Sequence, residues 1–190
     1  MWIHTSNSHT DLWTTTDGIN FKNKEIVAIH RDEIGTKNAT YTRVYEYKNK
    51  YIMLYSGMDT KANLRSIYIA HSDDAIYWTQ IKTPLVKPAP GEKNEIFGPS
   101  FLRWGNKNLI VYQDDTGTKG GNLKCVIVND NFDNVGTGGE RHTLLNAPDG
   151  PPVEGRFRGA EFYKFSNTLF MFSGASSRYK ENIIYATAPL

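Results

Sequence analysis

Acidic side chains are concentrated in the segments that separate the apolar runs of this 190-residue chain. Two carboxyl groups held close together can share the work of bond cleavage, one donating a proton and the other activating water or attacking carbon. Each acid taken alone can equally be a solvated loop charge. The acids available, including one just inside a run, are Asp32, Glu33, Asp59, Glu92, Glu95, Asp114, Asp115, Glu154 and Glu161.

Two arginines and two aromatic residues accompany these acids. Arg43 and Arg158 lie on predicted strands, where an inward guanidinium needs an anionic partner or a ligand. Tyr41 and Phe97 offer rings on which a ligand can stack, although such rings more often form core or channel wall. These four residues are the predicted ligand-binding side chains.

Metal and cofactor sites are not predicted. The histidines His4, His30, His71 and His142 have no metal-ligand spacing, and no Cys/His cluster exists in the sequence. The glycine-rich segment 117–121 follows an apolar run but opens no helical pattern, which argues against a phosphate cradle.

The elements that must position these residues are most clearly visible in Ala39–Val86. Its runs are rich in Tyr, Ile, Val and Thr, which suit a pleated, half-buried surface. They predict strands near residues 40–47, 51–55, 66–70 and 77–82, the first two joined by a tight hairpin at residues 48–50. Four antiparallel strands joined in chain order make one blade of a β-propeller.

The rest of the chain repeats this unit. Third strands begin near residues 12, 67, 123 and 182, a spacing of about 55 to 60 residues. No long segment has a convincing helical period, so the predicted class is all-β. We predict one propeller-like domain over residues 1–190, with a partial blade at 1–31, blades at 39–86 and 95–145, and a partial blade at 156–190.

A hydroxyl residue, an aspartate and an aromatic residue recur in the turns before the predicted outer strands. The aspartates are Asp17 in one turn and Asp73 or Asp74 in the other. Their carboxylates are expected to accept backbone N–H bonds inside the turn. Phe21 and Trp78 are expected to be buried between neighbouring blades.

These turns resemble the A-x-S-x-D-G-x-x-W motif of five-bladed propeller glycosidases, glycoside hydrolase families 32 and 43 and their relatives. The matching stretches are IYIAHSDDAIYWTQIKTPLV and LWTTTDGINFKNKEIV, while KYIMLYSG, NLIVYQDD and TLFMFSGASS resemble the second strands of the blades. The resemblance covers nearly the whole chain and implies a propeller that acts on an oligo- or polysaccharide.

The resemblance also implies where the carboxylates lie, at the starts of inner strands in different blades. Arg31-Asp32-Glu33 is similar to the R-D-P of the invertase-like enzymes but lacks the proline. Residues 95–99, EIFGP, match the Gly-Pro of an E-G-P motif but have Phe97 where its glutamate is expected. In the last copy Glu161 stands three residues beyond that position, and Glu154-Gly155 is a second near match. The catalytic candidates are therefore Asp32, Glu95 and Glu161.

Strand order gives a topological reason to group these candidates. In a blade of four antiparallel strands, the segment that leads into each inner strand lies on the same face as the loop between the second and third strands. The loops His30–Asn38, Pro88–Phe97 and Asp149–Glu161 are therefore expected to converge on one channel mouth.

The sequence contains two whole repeats and two incomplete ones. Five repeats at this spacing would need roughly 280 residues. The alternatives are part of a larger propeller or a reduced one whose ends pair to complete a shared blade. Open strand edges in a fragment would need a further chain segment or another copy to cover them, which predicts a homo-oligomer or a missing segment as partner.

Composition excludes several other classes of function. A formal net charge of +2 with both signs interspersed argues against a nucleic-acid surface. No run is long enough for a membrane-spanning helix, and the first ten residues have neither the basic start nor the apolar centre of a signal peptide. The single Cys125 cannot form an intrachain disulfide and lies in an apolar run typical of a core.

Three classes of function remain open from sequence. They are a glycosidase-like propeller, a carbohydrate-binding propeller without catalysis, and a propeller fragment that takes part in protein assembly. Substitution of the acids should separate the first two, and the solution mass addresses the third.

Overall fold

The computed structural model of the chain describes residues 2–6, 9–114, 121–146, 155–177 and 181–189. The described strands form four antiparallel sheets, each joined in chain order. The all-β class predicted from the sequence is confirmed, with one helical turn, α1, at Arg31–Ile34. The described helices include none long and apolar enough to span a membrane.

Each sheet is a meander of three or four strands. The first sheet holds β1 (Trp2–Ser6), β2 (His9–Thr14) and β3 (Lys22–His30). The second holds β4 (Thr36–Tyr47), β5 (Lys50–Asp59), β6 (Arg65–Ser72) and β7 (Thr79–Gln80). The third holds β8 (Ile96–Trp104), β9 (Lys107–Asp114), β10 (Leu123–Val128) and β11 (Arg141–Leu145). The fourth holds β12 (Gly155–Phe165), β13 (Thr168–Ser177) and β14 (Glu181–Pro189).

Consecutive sheets pack face to face, and each interface has its own apolar core. Ala28 and Ile29 of the first sheet join Met53 and Tyr55 of the second. The second and third sheets share the largest of these cores, which contains Leu54, Ile69, Ile110 and Tyr112. The third and fourth sheets share a core that contains Val111, Leu123, Cys125, Phe157 and Met171.

Two strand connections follow the chemistry of the sequence closely. Lys48 and Asn49 have φ values of 51° and 61°, as a two-residue hairpin turn with the favoured twist requires. Asp17 accepts the backbone N–H groups of Ile19 and Asn20 at 2.9 and 2.8 Å, which confirms the predicted turn. These bonds stabilise the ionised carboxylate and hold the pKa of Asp17 well below its usual range.

In the second turn of this kind, which follows β6, Asp74 accepts hydrogen bonds from the backbone N–H groups of Ile76 and Tyr77 at 2.8 and 2.9 Å. Its neighbour Asp73 is exposed and forms an ion pair with Lys50 instead. The prediction that Phe21 is buried was wrong, because its side chain is exposed in the first turn. Trp78 is half-buried and packs against the core between the first two sheets. The predicted strand at 77–82 is reduced to Thr79–Gln80.

Candidate active site

The innermost strands of the last three sheets, β4, β8 and β12, have the same irregularity near their starts. A break in register lies between Thr40 and Arg43, between Phe97 and Ser100, and between Arg158 and Ala160. Each break contains a residue with positive φ, and these residues are Tyr41 (57°), Gly98 (61°) and Gly159 (65°). The bulges therefore occupy equivalent positions, and the residues two places further on are Arg43, Ser100 and Glu161.

Two of these bulges need glycine because the strands approach closely. A Cβ atom on Gly98 would lie 3.2 Å from the Cα atom of Gly159. A Cβ atom on Gly159 would lie 3.1 Å from Nη2 of Arg43. In β4 the equivalent position is occupied by Tyr41, a residue type that rarely adopts this conformation. Strain of this kind is found preferentially at functional sites.

Arg43 joins the three inner strands. Its Nε lies 2.6 Å from Oε1 of Glu161, and its Nη1 donates to the carbonyl oxygen of Ala160 at 2.7 Å. A longer contact of 3.5 Å connects Nη1 to the carbonyl oxygen of Pro99 on β8. The arginine therefore fixes β12 against β4 and orients the Glu161 carboxylate.

Glu161 has the electrostatics of a carboxyl group that holds a proton more readily than usual. Burial, the largest influence, raises its pKa above the usual value of 4.5, while the Arg43 guanidinium and the Tyr45 hydroxyl oppose that rise. The Tyr45 hydroxyl lies 3.5 Å from Oε2 of Glu161, a long contact in which the hydroxyl is the donor. Desolvation exceeds the effect of the ion pair here, and a carboxyl group of this kind suits the role of general acid.

A second cluster lies beside the bulge of β4. The rings of Tyr41 and Phe97 are 5.6 Å apart between centroids, and the guanidinium carbon of Arg65 lies 5.9 Å from the Phe97 centroid. Nε of Arg65 is 3.4 Å from Oε2 of Glu95, which is an ion pair without good hydrogen-bond geometry. Arg65 thus contacts Phe97 and Glu95, and the Phe97 ring connects this pair to Tyr41.

Asp32 is placed differently. It lies in the helical turn α1, its side chain is exposed, and Oδ1 is 3.4 Å from Nε of Arg31. The side chain of Arg158 and the whole of Glu154 lie outside the described residues. Their predicted roles remain predictions.

Two of the loop acids form part of a structural network. The side chain of Glu92 is almost fully buried and accepts hydrogen bonds from the Tyr112 hydroxyl at 2.9 Å and from Arg141 at 3.0 Å. Nζ of Lys124 lies 2.5 Å from the buried Asp114 and 3.2 Å from Glu92. Every charge in this network has an opposite charge beside it, so it ties the connection before β8 to the third sheet and is not available for catalysis.

Sequence reasoning missed Tyr45 and Arg65. Tyr45 lies two residues beyond Arg43 on the same strand, so the period of two along a strand could have indicated it. Arg65 gave no signal in the sequence, because it meets Glu95 through a bridge between separate segments. The described residues include no group of three or more side chains suited to holding a metal ion.

The same arrangement of sheets occurs in solved glycoside hydrolase structures. An endo-arabinase from Bacteroides thetaiotaomicron matches with a TM-score of 0.79 at 13% identity, over 99% of this chain and 69% of that one. A family 117 glycoside hydrolase from Zobellia galactanivorans matches with a TM-score of 0.70 at 17% identity, over 97% and 55%.

A third match is the family 32 beta-fructofuranosidase of Bombyx mori, with a TM-score of 0.66 at 11% identity, over 90% of this chain and 37% of that one. The fold is that of the propeller glycosidases. The chain spans between 37% and 69% of the length of these three structures. No protein-family model matches the sequence, and no curated protein does.

Proposed function

We propose that the chain binds and cleaves an oligo- or polysaccharide at the mouth formed by the starts of β4, β8 and β12. The observation that carries this proposal is Glu161, a half-buried carboxyl group with a raised pKa on an inner strand of a propeller glycosidase fold. In this role Glu161 donates a proton to the glycosidic oxygen, and Arg43 holds its carboxyl group in position.

The other predicted residues receive supporting roles. Glu95 is the competing candidate for the acid, and Asp32 is the candidate for the second carboxylate, which activates water or attacks carbon. Tyr41 and Phe97 supply a stacking surface for a sugar ring, whose C–H groups pack on an aromatic face. Arg158 is proposed to orient the ligand. The edges of β1 and β14 that pair with no described strand are proposed to be covered by a second copy or a further chain segment.

One contact favours a second candidate function, carbohydrate binding without cleavage. Oε1 of Glu161 is already held by Arg43 at 2.6 Å, as in a structural ion pair. A site built in this way retains the shape and the rings needed to bind a sugar even when no carboxyl group acts as an acid.

The test combines hydrolysis and binding on arabinan and xylan, measured as released reducing ends and as retardation in polysaccharide-containing gels. Glu161→Gln should abolish hydrolysis and leave binding within about threefold. Glu46→Gln, at an exposed position on β4, the strand that carries Arg43, is the control and should change neither. Binding without hydrolysis by the unmodified chain would support the second function, and neither binding nor hydrolysis would refute both.

The aromatic surface needs its own test. Tyr41→Gly relieves the positive φ of this residue, so the thermal stability should not fall, while polysaccharide retardation should be lost. Tyr77 is an exposed ring in the turn after β6, outside the bulge of β4 that contains Tyr41. Tyr77→Ala should therefore leave retardation unchanged. Equal retardation for both variants and the unmodified chain would exclude Tyr41 from the binding surface.

A further inference from the structure

Arg65 lies beside the aromatic surface of the candidate site, yet its guanidinium has no hydrogen bond to the part of the chain that the structure describes. The side chain is only 18% exposed. Nε is buried without a hydrogen-bond partner, and no described residue accepts a hydrogen bond from Nη1 or Nη2. A buried donor of this kind has given up its hydrogen bonds to water, so unpaired ones are rare in folded proteins.

Arg141 shows how the same chain holds an arginine that has a structural role. It is similarly buried, at 13% exposed, and it donates five hydrogen bonds to carboxylate, hydroxyl and carbonyl oxygens. Arg65 has in their place one contact with a carboxylate, in which its Nε lies 3.4 Å from Oε2 of Glu95. The difference leaves the donors of Arg65 available to a ligand.

The backbone around Arg65 fixes where these donors lie. Its N–H group donates to the carbonyl oxygen of Asn94 at 2.8 Å, and a bridge joins Arg65 to Glu95 just before β8. On its other side Arg65 pairs with Met58 of β5. A side chain anchored in this way and packed near the Phe97 ring loses less conformational freedom when a ligand binds.

The chemistry of the guanidinium and its neighbours indicates which ligand fits. A guanidinium presents its N–H groups in a planar fork that matches the two oxygens of a carboxylate. The Phe97 ring contacts both Arg65 and Tyr41, so this fork adjoins the surface proposed to stack a sugar ring. The carboxylate of a uronic acid is attached directly to its sugar ring, so a ring on this surface can bring the acid to the fork.

We propose that Arg65 binds the carboxylate of a uronic acid and that the chain therefore selects an acidic polysaccharide. Glu95, whose side chain is 38% exposed, balances the charge of Arg65 until the carboxylate of the ligand takes its place. This inference rests on the proposed function, because it assigns a substrate class to the same site.

Retardation in gels that contain polygalacturonate, compared with gels that contain its methyl ester, tests this inference. The two polymers share one backbone, and the ester lacks the charge of the carboxylate. The unmodified chain should bind polygalacturonate at least about tenfold more tightly than the ester. Equal retardation by the two polymers would overturn the inference. Equally strong retardation by a sulfated polysaccharide such as carrageenan would also overturn it, because the chain would then respond to charge alone.

Three single substitutions separate a specific site from general charge attraction. Arg65→Gln should remove the preference for polygalacturonate. Glu95→Gln should increase this preference, because it removes the group that competes for the guanidinium, whereas a purely structural ion pair predicts no gain. Lys107→Gln is the matched control, since it removes one positive charge from an exposed position at the far end of β8, and it should leave the preference unchanged.

Two results with these variants would contradict the inference. One is an equal loss of preference in Arg65→Gln and Lys107→Gln, and the other is a weaker preference in Glu95→Gln. Circular dichroism establishes that each variant keeps its β spectrum, and Glu95→Gln decides alone if Arg65→Gln does not fold.

The inference and the proposed function fail in different ways. Retardation by arabinan or xylan without a preference for polygalacturonate refutes the selection of an acidic polysaccharide and leaves the proposed function standing. No retardation by any of these polysaccharides refutes both.

Discussion

Removal of Arg43 most directly tests the contacts that join the inner strands β4 and β12. In Arg43→Met the aliphatic stem is kept, while the ion pair to Glu161 at 2.6 Å and the hydrogen bond to Ala160 at 2.7 Å are lost. A hydrogen bond from a charged donor contributes about 1.5–3 kcal/mol. The ion pair adds no more than about 1 kcal/mol, because Glu161 is 36% exposed and solvent screens it. The contact to Pro99 at 3.5 Å is too long to count.

The expected loss in the free energy of unfolding is therefore about 1.5–4 kcal/mol, measured by urea denaturation at neutral pH. Arg31→Met is the matched control, because Arg31 also pairs with an acid and a carbonyl oxygen but does so at the surface. It should cost less than about 1 kcal/mol. Equal losses for the two variants would refute the view that Arg43 ties the inner strands together.

A double variant separates the charge from the hydrogen bond. Removing Arg43 leaves the Glu161 carboxylate partly buried without its cation, and Glu161→Gln removes that charge. The double variant should be more stable than the sum of the single losses predicts, by about 1 kcal/mol. Additive losses would show that the two side chains do not interact in solution.

Three further predictions concern other parts of the fold. Gly159→Ala should lower stability by about 1 kcal/mol more than Gly105→Ala in thermal melting. Both glycines have positive φ, but only the Gly159 site lacks room for a Cβ atom. Leu54→Ala should cost about 2–5 kcal/mol in urea denaturation, since this side chain is fully buried in the largest core; a loss below about 1 kcal/mol would contradict that placement. Hydrogen bonds, the one from Lys48 first among them, hold the pKa of Asp130 below its usual value of 3.8. The unmodified chain should therefore be more stable than Asp130→Asn above pH 3.8, and this difference should shrink as the pH falls below that value. A stability difference that does not change with pH would contradict the assignment.

Local chemistry was sufficient to predict the strands other than β7, which is shorter than predicted, the hairpin and the turns of Asp17 and Asp74. The bonds of Asp17 and Asp74 reach only two or three residues along the chain, so the sequence contains both partners of each bond. The same holds for the apolar runs that became β5 and β9, whose residues form strands because they suit a pleated, buried surface.

Errors arose where burial depends on a neighbouring sheet. Phe21 and Trp78 occupy equivalent places in two similar turns, yet Phe21 is exposed and Trp78 packs against a core. Nothing within the turns distinguishes them. The difference depends on how much of each turn a neighbouring element covers.

The candidate site divides in the same way. The sequence identified Arg43, Glu95, Glu161, Tyr41 and Phe97 as residue types with suitable chemistry, and it grouped their loops by strand order. The sequence could not show that Arg43 donates a hydrogen bond to a carbonyl oxygen of β12, on a residue 117 positions away. It also could not show that Arg65 forms an ion pair with Glu95. Charge partners depend on distances of a few Å between separate sheets, and only the packing of those sheets sets such distances.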